Sequence, residues 1–176
     1  MSLRYDFTNL LYSSAMVCGI REEEPAQYED ACRAAHAGIV ADRAADVLGF
    51  FALPDQDTAR IKEPIARLRE RFDAMLVLGI GGSALGNRAL YTALRTAKGL
   101  NTKLHVCDNV DPQMLKAILS EADLDRTVVN VITKSGATAE TMSAFLIVLD
   151  MLRRRFPADY RERVVITTDA EKGFLR

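Results

Sequence analysis

From Asp73 onward, short apolar runs alternate with longer stretches of helical periodicity, and this alternation limits the possible folds more than any other feature. The apolar runs are residues 75–78, 104–107, 128–132 and 164–167. The helical stretches between them are residues 83–96, 112–121 and 138–155. Strands that alternate with helices form right-handed βαβ units and a parallel sheet, and apolar strands of this kind are covered on both faces. The pattern predicts an α/β fold with a doubly wound parallel sheet.

The residues before Asp73 form a helical lead-in. Pro25 suits a first helical position, and apolar residues at helical spacing predict one helix over residues 25–51. A second helix is expected over residues 61–72, and Pro64 either starts or kinks it. Residues 1–19 are mixed in character and predict extended segments with a helical turn.

This change of pattern divides the chain into two parts. We predict a helical N-terminal segment, residues 1–72, and an α/β domain, residues 73–176. The chain stops at Gly173-Phe174-Leu175-Arg176, barely past the fourth strand, which would leave that strand near an unprotected edge. We therefore expect the second domain to be incomplete and the chain to be a fragment.

Composition excludes several classes of function. Hydrophobic residues make up 49% of the 176 and charged residues 27%, an ordinary globular mixture. A net charge of -1 gives no electrostatic reason to expect nucleic acid. No apolar run approaches the roughly 18 residues of a membrane span, and no signal peptide is evident. Cys18, Cys32 and Cys107 are scattered, which argues against disulfides and a zinc site, so we expect a reducing cytoplasm and no metal.

The turn after the first strand is rich in glycine: Gly79-Ile80-Gly81-Gly82-Ser83-Ala84-Leu85-Gly86. Three interpretations are open. The glycines can simply allow a sharp turn, with Ser83 as the helix N-cap. The turn also fits the G-x-G-x-x-A form of a dinucleotide site, with Asp108 ending the next strand. Finally, Gly82 and Ser83 can hold a monophosphate at the helix N-terminus.

The turn after the third strand is rich in hydroxyl groups: Thr133-Lys134-Ser135-Gly136-Ala137-Thr138. Three hydroxyls, loop N–H groups and the following helix dipole can together bind a phosphate dianion, and Lys134 adds a point charge. The simpler interpretation is a polar turn in which Thr138 is the N-cap. Glu140 either complements the helix dipole or faces a ligand. Because both turns open at the same edge of a parallel sheet, they favour a phosphorylated small molecule.

Three ordered segments resemble the phosphoglucose isomerase family, whose bacterial branch is the most similar. The first turn matches the family's G-I-G-G-S-x-x-G segment. The second turn, extended to Glu140 and Thr141, matches its S/T-K-S/T-x-x-T-x-E-[TP] segment. Between them, Asp108-Asn109-Val110-Asp111-Pro112 resembles D-N-x-D-P. The resemblance extends from about Ile65 to Thr168.

The resemblance implies an enzyme that interconverts glucose 6-phosphate and fructose 6-phosphate. Its two sugar isomerase subdomains are doubly wound, flavodoxin-like three-layer sandwiches. Phosphate binding is implied for Gly82, Ser83, Thr133, Lys134, Ser135 and Thr138. Glu140 is expected to have a supporting role near the sugar. No metal or other cofactor is implied, and the full-length enzyme is expected to be a cytoplasmic homodimer without nucleic-acid or membrane partners.

The resemblance also implies what this chain lacks. The family's proton-transferring glutamate, its arginine, and its ring-opening histidine and lysine lie downstream of the matched region. Neither His36 nor His105 matches the ring-opening histidine. We therefore expect no catalytic residue in this chain and no isomerase activity from it alone.

Two alternatives remain open at this point. One is a non-catalytic sugar-phosphate-binding module of the same fold, although no DNA-binding segment of the kind expected in a regulator is visible. The other is a dinucleotide-binding domain that uses residues 79–84, from Gly79 to Ala84, together with Asp108. Substitution of Asp108 should abolish binding only in the dinucleotide case.

Overall fold

The α/β part of the chain folds as its strand and helix pattern predicts. The computed structural model describes residues 4–13, 18–97, 99, 101–171 and 173–175. The strands within these ranges are β1 (Ala74–Leu78), β2 (Lys103–Cys107), β3 (Thr127–Thr133) and β4 (Val164–Thr168). The α-helices there are α1 (Glu24–Gln27), α2 (Glu29–Ala44), α3 (Ala59–Arg71), α4 (Gly82–Ala97), α5 (Pro112–Glu121) and α6 (Ala139–Arg155). Each strand and helix predicted after residue 73 is present.

The four strands form one parallel sheet in the order β2-β1-β3-β4. Ala74 pairs with Lys103 on one side and with Thr127 on the other, so β1 and β3 are the central strands. The chain moves from β1 to β2 in one direction and then returns across β1 to β3 and β4. Right-handed crossovers therefore place α4 on one face of the sheet and α5 with α6 on the other. The predicted doubly wound sheet is confirmed.

The hydrophobic core lies between the sheet and the pair α5 and α6. Strand side chains that point to this face pack against apolar residues of both helices. The buried members are Leu76, Leu78, Cys107, Leu115, Val129, Val131, Ala144, Phe145, Val148 and Leu152. On the opposite face, Val77 of β1 and Ala84 of α4 are fully buried. Asp111 caps α5 as expected: its carboxylate accepts a hydrogen bond of 2.8 Å from the Gln113 N–H.

The N-terminal helix prediction was wrong in its extent. In place of one helix over residues 25–51, α1 gives way to α2 at Tyr28, and α2 stops at Ala44. A 3₁₀ helix then covers Gly49–Asp55. The break has a local cause, because Asp46 adopts a left-handed conformation (φ 54°) while Val47 N–H bonds to the Asp42 carbonyl at 3.0 Å. This 6→1 bond is that of the Schellman motif, in which glycine usually occupies the left-handed position.

The rest of the lead-in agrees with expectation more closely. Before Gly19, the described residues contain a 3₁₀ turn at Thr8–Leu10 and an isolated bridge from Leu11 to Ile20, whereas residues 1–3 and 14–17 lie outside the described ranges. Helix α3 begins at Ala59, so Pro64 lies inside the helix and does not start it.

The chain separates into two compact units, Met1–Asp57 and Thr58–Arg176. Helix α3 belongs to the second unit by this division. The domain boundary predicted at residue 73 remains a prediction about the complete protein. No helix in the described ranges is long and apolar enough to cross a membrane.

A buried arginine joins three parts of the second unit. The Arg163 guanidinium donates to the carbonyls of Leu124 and Asp125, both at 3.2 Å, and lies 3.5 Å from the centre of the Phe156 ring. It also forms an ion pair with Asp159 at 3.1 Å. Burial opposes ionisation of Asp159, but hydrogen bonds from Arg163 and Arg71 outweigh it and lower the pKa of that carboxyl. The entry to β4 is thereby fixed to the loop before β3.

We expect Arg163→Met to lower the free energy of unfolding by about 2–4 kcal/mol, because the buried Leu124 carbonyl, the part-buried Asp125 carbonyl and the Asp159 carboxylate lose a charged donor. Arg161→Met is the matched control, since Arg161 is exposed and, within the described ranges, its one side-chain hydrogen bond is to the Tyr160 hydroxyl at 3.1 Å. Urea unfolding of both variants measures the difference. Equal losses would show that the buried arginine is not an anchor.

Candidate functional site

The strand order brings both predicted turns to one edge of the sheet. Strands β1 and β3 are adjacent and parallel, with Leu78 opposite Val131. Their following connections leave in opposite directions, one toward β2 and the other toward β4. Such a switch point is where open α/β sheets form a ligand crevice. The turn after β1 and the turn after β3 therefore flank the same crevice.

The close approach of the first turn to β3 requires a glycine at position 79. A Cβ atom there would lie 2.9 Å from the Ser83 Cβ, closer than real Cβ atoms tolerate, and 3.0 Å from the Ile132 carbonyl oxygen, which is tighter than most real Cβ contacts. The turn can therefore lie against the end of β3 only without a side chain at this position. This contact brings the N-terminus of α4 beside the second turn.

Gly82 and Ser83 are the first two residues of α4. Ser83 is half-buried, and its N–H bonds to the Ile80 carbonyl at 3.2 Å. The simpler interpretation of Ser83 as an N-cap is wrong, because the helix already begins at Gly82. The Ser83 side chain instead belongs to the first helical turn, where backbone N–H groups and the helix dipole favour anions.

In the second turn, residues 133–138, three hydroxyl groups converge; we call this segment the hydroxyl loop. The Thr133 and Thr138 Oγ1 atoms are 2.7 Å apart, and Ser135 Oγ is 3.5 Å from Thr138 Oγ1. Thr133 is only 2% exposed, whereas Ser135 is exposed and its Oγ accepts a hydrogen bond of 3.2 Å from the Ala137 N–H. The loop thus has a buried base and an exposed rim.

Thr138 occupies the N-cap position of α6 but does not cap it. Its side chain makes no capping hydrogen bond to the helix and bonds to Thr133 instead. Thr138 therefore lies at the N-cap position, as the simpler interpretation expects, but its side chain does not make the capping hydrogen bond. The first N–H groups of α6 receive no bond from this side chain, so they add to the donors near the loop.

The two charged candidates lie on either side of these hydroxyls. Lys134 is exposed within the hydroxyl loop, and Glu140 is exposed in the first turn of α6. Glu140 lines a narrow crevice at the ends of β1 and β2, where its neighbours include Gly79 and Asp108. Glu140 is therefore placed toward the β1 and β2 side of the edge, whereas the predicted phosphate-binding hydroxyls do not line this crevice.

An ion pair at the same edge was missed from sequence. Arg88 of α4 lies 2.9 Å from the Asp108 carboxylate at the end of β2, where Asp108 is 20% exposed. The signal in the sequence was a pair of opposite charges, one on the helix that follows β1 and one at the end of the next strand, β2. This contact matters for the dinucleotide alternative, because one of the two Asp108 oxygens, Oδ2, already has a charged partner.

Two further features of the second unit are a buried thiol and an apolar groove. Burial raises the pKa of the Cys107 thiol at the end of β2, as expected for a small apolar core residue. A groove of about 380 Å³ between α5 and α6 is lined mainly by apolar side chains, among them Leu115, Ile147 and Met151. In the described part of the chain, no group of three or more His, Cys, Asp or Glu residues could hold a metal ion.

Comparison with known proteins gives the family. A family model described as phosphoglucose isomerase matches residues 67–172, which include β1, β2, β3, β4 and both turns. The chain belongs to this family. Glucose-6-phosphate isomerase from Carboxydothermus hydrogenoformans is 36% identical over the whole chain and 40% of its own length. A probable glucose-6-phosphate isomerase from Natronomonas pharaonis is 37% identical over 99% of the chain and 39% of its own length.

Solved structures share the fold of this phosphoglucose isomerase family member. A hypothetical protein from Thermus thermophilus superposes with a TM-score of 0.73 and 33% identity, over 86% of this chain and 36% of its own. A glucose-6-phosphate isomerase from Chlamydia trachomatis gives 0.57 and 29% identity, over 63% and 23%. The chain therefore spans two fifths or less of each of these relatives. The predicted family resemblance is confirmed.

We expect Thr138→Val to lower the free energy of unfolding by about 1–2 kcal/mol, because the buried Thr133 hydroxyl loses its partner. Thr138→Ser keeps the hydroxyl and is the matched control, expected within about 0.5 kcal/mol of the wild type. Urea unfolding measures both. A loss in the serine variant as large as in the valine variant would assign the effect to the methyl group.

Proposed function

We propose that this chain binds the phosphate of a hexose 6-phosphate between the N-terminus of α4 and the hydroxyl loop. The observation on which the proposal rests is the convergence of three hydroxyls at the switch point of the sheet, where Thr138 Oγ1 lies 2.7 Å from Thr133 Oγ1 and 3.5 Å from Ser135 Oγ. The proposed ligands are Gly82, Ser83, Thr133, Lys134, Ser135 and Thr138. Glu140 has a supporting role near the sugar.

The chemistry of the loop suits a dianion better than a neutral group. A phosphomonoester bears about two negative charges near neutral pH and three strong acceptor oxygens. Each of the three hydroxyls carries one proton. With Thr133 and Thr138 bonded to each other, two protons are free to donate to the anion, and the N-termini of α4 and α6 contribute N–H groups and favourable dipoles. Lys134 adds a positive charge, which is not needed at a site for an uncharged sugar hydroxyl.

The complete protein, in this proposal, interconverts glucose 6-phosphate and fructose 6-phosphate. Relatives named glucose-6-phosphate isomerase support this assignment. We further propose a cytoplasmic homodimer that uses no metal or nucleotide. The dinucleotide alternative is less well supported, because the matching family model and the relatives are phosphoglucose isomerases and because one Asp108 oxygen, Oδ2, is already paired with Arg88.

The phosphate site can be tested by titrating isotope-labelled chain with fructose 6-phosphate, with fructose and with NAD. We expect fructose 6-phosphate to shift the amide signals of Ser83, Ser135 and Thr138, and fructose to leave them unchanged because it lacks the anion. Ser135→Ala should weaken binding about tenfold, as for the loss of one hydrogen bond to a charged group.

Two outcomes would count against this assignment. Shifts around Gly81 and Asp108 with NAD alone would favour the dinucleotide site. No shift with any of the three compounds would show that these loops do not form a phosphate site within this chain.

The 176-residue chain should show no isomerase turnover by itself. Proton transfer between C1 and C2 needs a positioned base, and no residue of this chain matches the family's glutamate. A coupled assay that follows the formation of glucose 6-phosphate from fructose 6-phosphate measures the turnover, with a full-length relative as the positive control. Turnover above the uncatalysed rate would require a base that the family resemblance does not provide.

A further inference from the structure

The hydroxyl loop is held from outside by the short segment that follows β4. Residues 173–175 lie against the middle of the loop, where the Phe174 N–H donates to the Gly136 carbonyl at 3.2 Å. Leu175 packs against the hydrophobic core. The segment therefore links the loop to the hydrophobic core by contacts additional to the loop's own chain connections to β3 and α6.

The contact itself is made by two glycines with no room for a side chain. A Cβ atom on Gly173 would lie 2.3 Å from the Ser135 carbonyl oxygen and 2.7 Å from the Gly136 Cα. A Cβ atom on Gly136 would lie 2.9 Å from the Gly173 Cα. Both residues also have left-handed backbone conformations, with φ of 65° for Gly136 and 96° for Gly173. Backbone packing this close permits only glycine on each side.

The position of this contact matters because Gly136 lies between the hydroxyl-bearing residues. Its N–H bonds to the Thr133 carbonyl at 3.3 Å, and the next residue, Ala137, donates to the Ser135 Oγ at 3.2 Å. A shift of the Gly136 backbone would therefore move Ser135 relative to Thr133 and Thr138. The base of the loop is fixed by the sheet, since Thr133 pairs with Thr168 of β4. The exposed rim has this second support.

We infer that Gly173 is a positioning residue for phosphate binding: its contact with Gly136 holds the hydroxyl loop in the arrangement that binds the anion. The inference rests on the proposed function and assigns to the segment after β4 a part in the same site. Fixing the loop before the ligand arrives reduces the entropy lost on binding and keeps the donors in place. Gly173 touches no ligand itself.

The test compares Gly173→Ala with Gly99→Ala in the full 176-residue chain. Gly99 is the matched control, because its φ of 57° is also left-handed but a Cβ atom there would meet nothing within 4 Å. Both variants introduce backbone strain, and only Gly173→Ala breaks the contact. Hydrogen exchange of the amides of residues 135–138 reports the order of the loop, and titration with fructose 6-phosphate reports binding.

We expect faster exchange at residues 135–138 in Gly173→Ala, together with about tenfold weaker binding of fructose 6-phosphate. Gly99→Ala should leave both unchanged. If Gly173→Ala does not fold, Leu175→Ala tests the same support by loosening its anchor in the core, with a smaller change of the same sign.

Unchanged exchange in the loop of Gly173→Ala, or equal changes in both glycine variants, would overturn the inference. The result is separable from the proposed function. A wild-type chain that does not bind fructose 6-phosphate would overturn the phosphate site, whereas the exchange comparison without ligand would still decide whether Gly173 orders the loop.

Discussion

The parallel pairing of β1 with β3 is the interaction on which the rest of the structure depends. It joins segments that are far apart in sequence, with Ala74 opposite Thr127, and α4, β2 and α5 all lie between them along the chain. A shift of this pairing by one residue would turn the Thr133 side chain to the opposite face of the sheet. The hydroxyl that now meets Thr138 would then point away from it. Core packing and site assembly are therefore decided by the same register.

The hydroxyl pair shows how one contact can serve both stability and binding. Thr133 is buried and needs a partner, which Thr138 supplies across the loop. Each of these hydroxyls has one proton and can accept as well as donate. Their mutual bond uses one of the two protons, so an anion can accept the other without breaking that bond, whereas an anion that accepts both protons replaces it. Other contacts of the loop, such as that of Gly136 with Gly173, limit the change in the loop backbone when this bond is replaced.

Sequence patterns predicted the parts of the fold that depend on local chemistry. The apolar runs predicted the strands, and Asp111 before Pro112 predicted the start of α5. The glycine and hydroxyl turns predicted which edge of the sheet carries the candidate site, and their motifs indicated the family. The end of α2 was missed because Asp46, not glycine, takes the left-handed position. The contacts of Arg88 with Asp108 and of Gly136 with Gly173 join residues from separate elements, and no periodicity signals such pairs. The sequence placed Thr133 and Thr138 in one hydroxyl-rich turn but gave no indication that the two side chains bond to each other.

The ion pair between Arg88 and Asp108 changes the electrostatic potential at the sheet edge. Asp108 and Glu140 both line the crevice at this edge, and two carboxylates there would repel an approaching dianion over distances of about 10 Å at ordinary ionic strength. Arg88 compensates one of these charges at 2.9 Å, so much of that repulsion is removed before a ligand arrives. A guanidinium that need not touch a phosphate can thus raise the rate of its association.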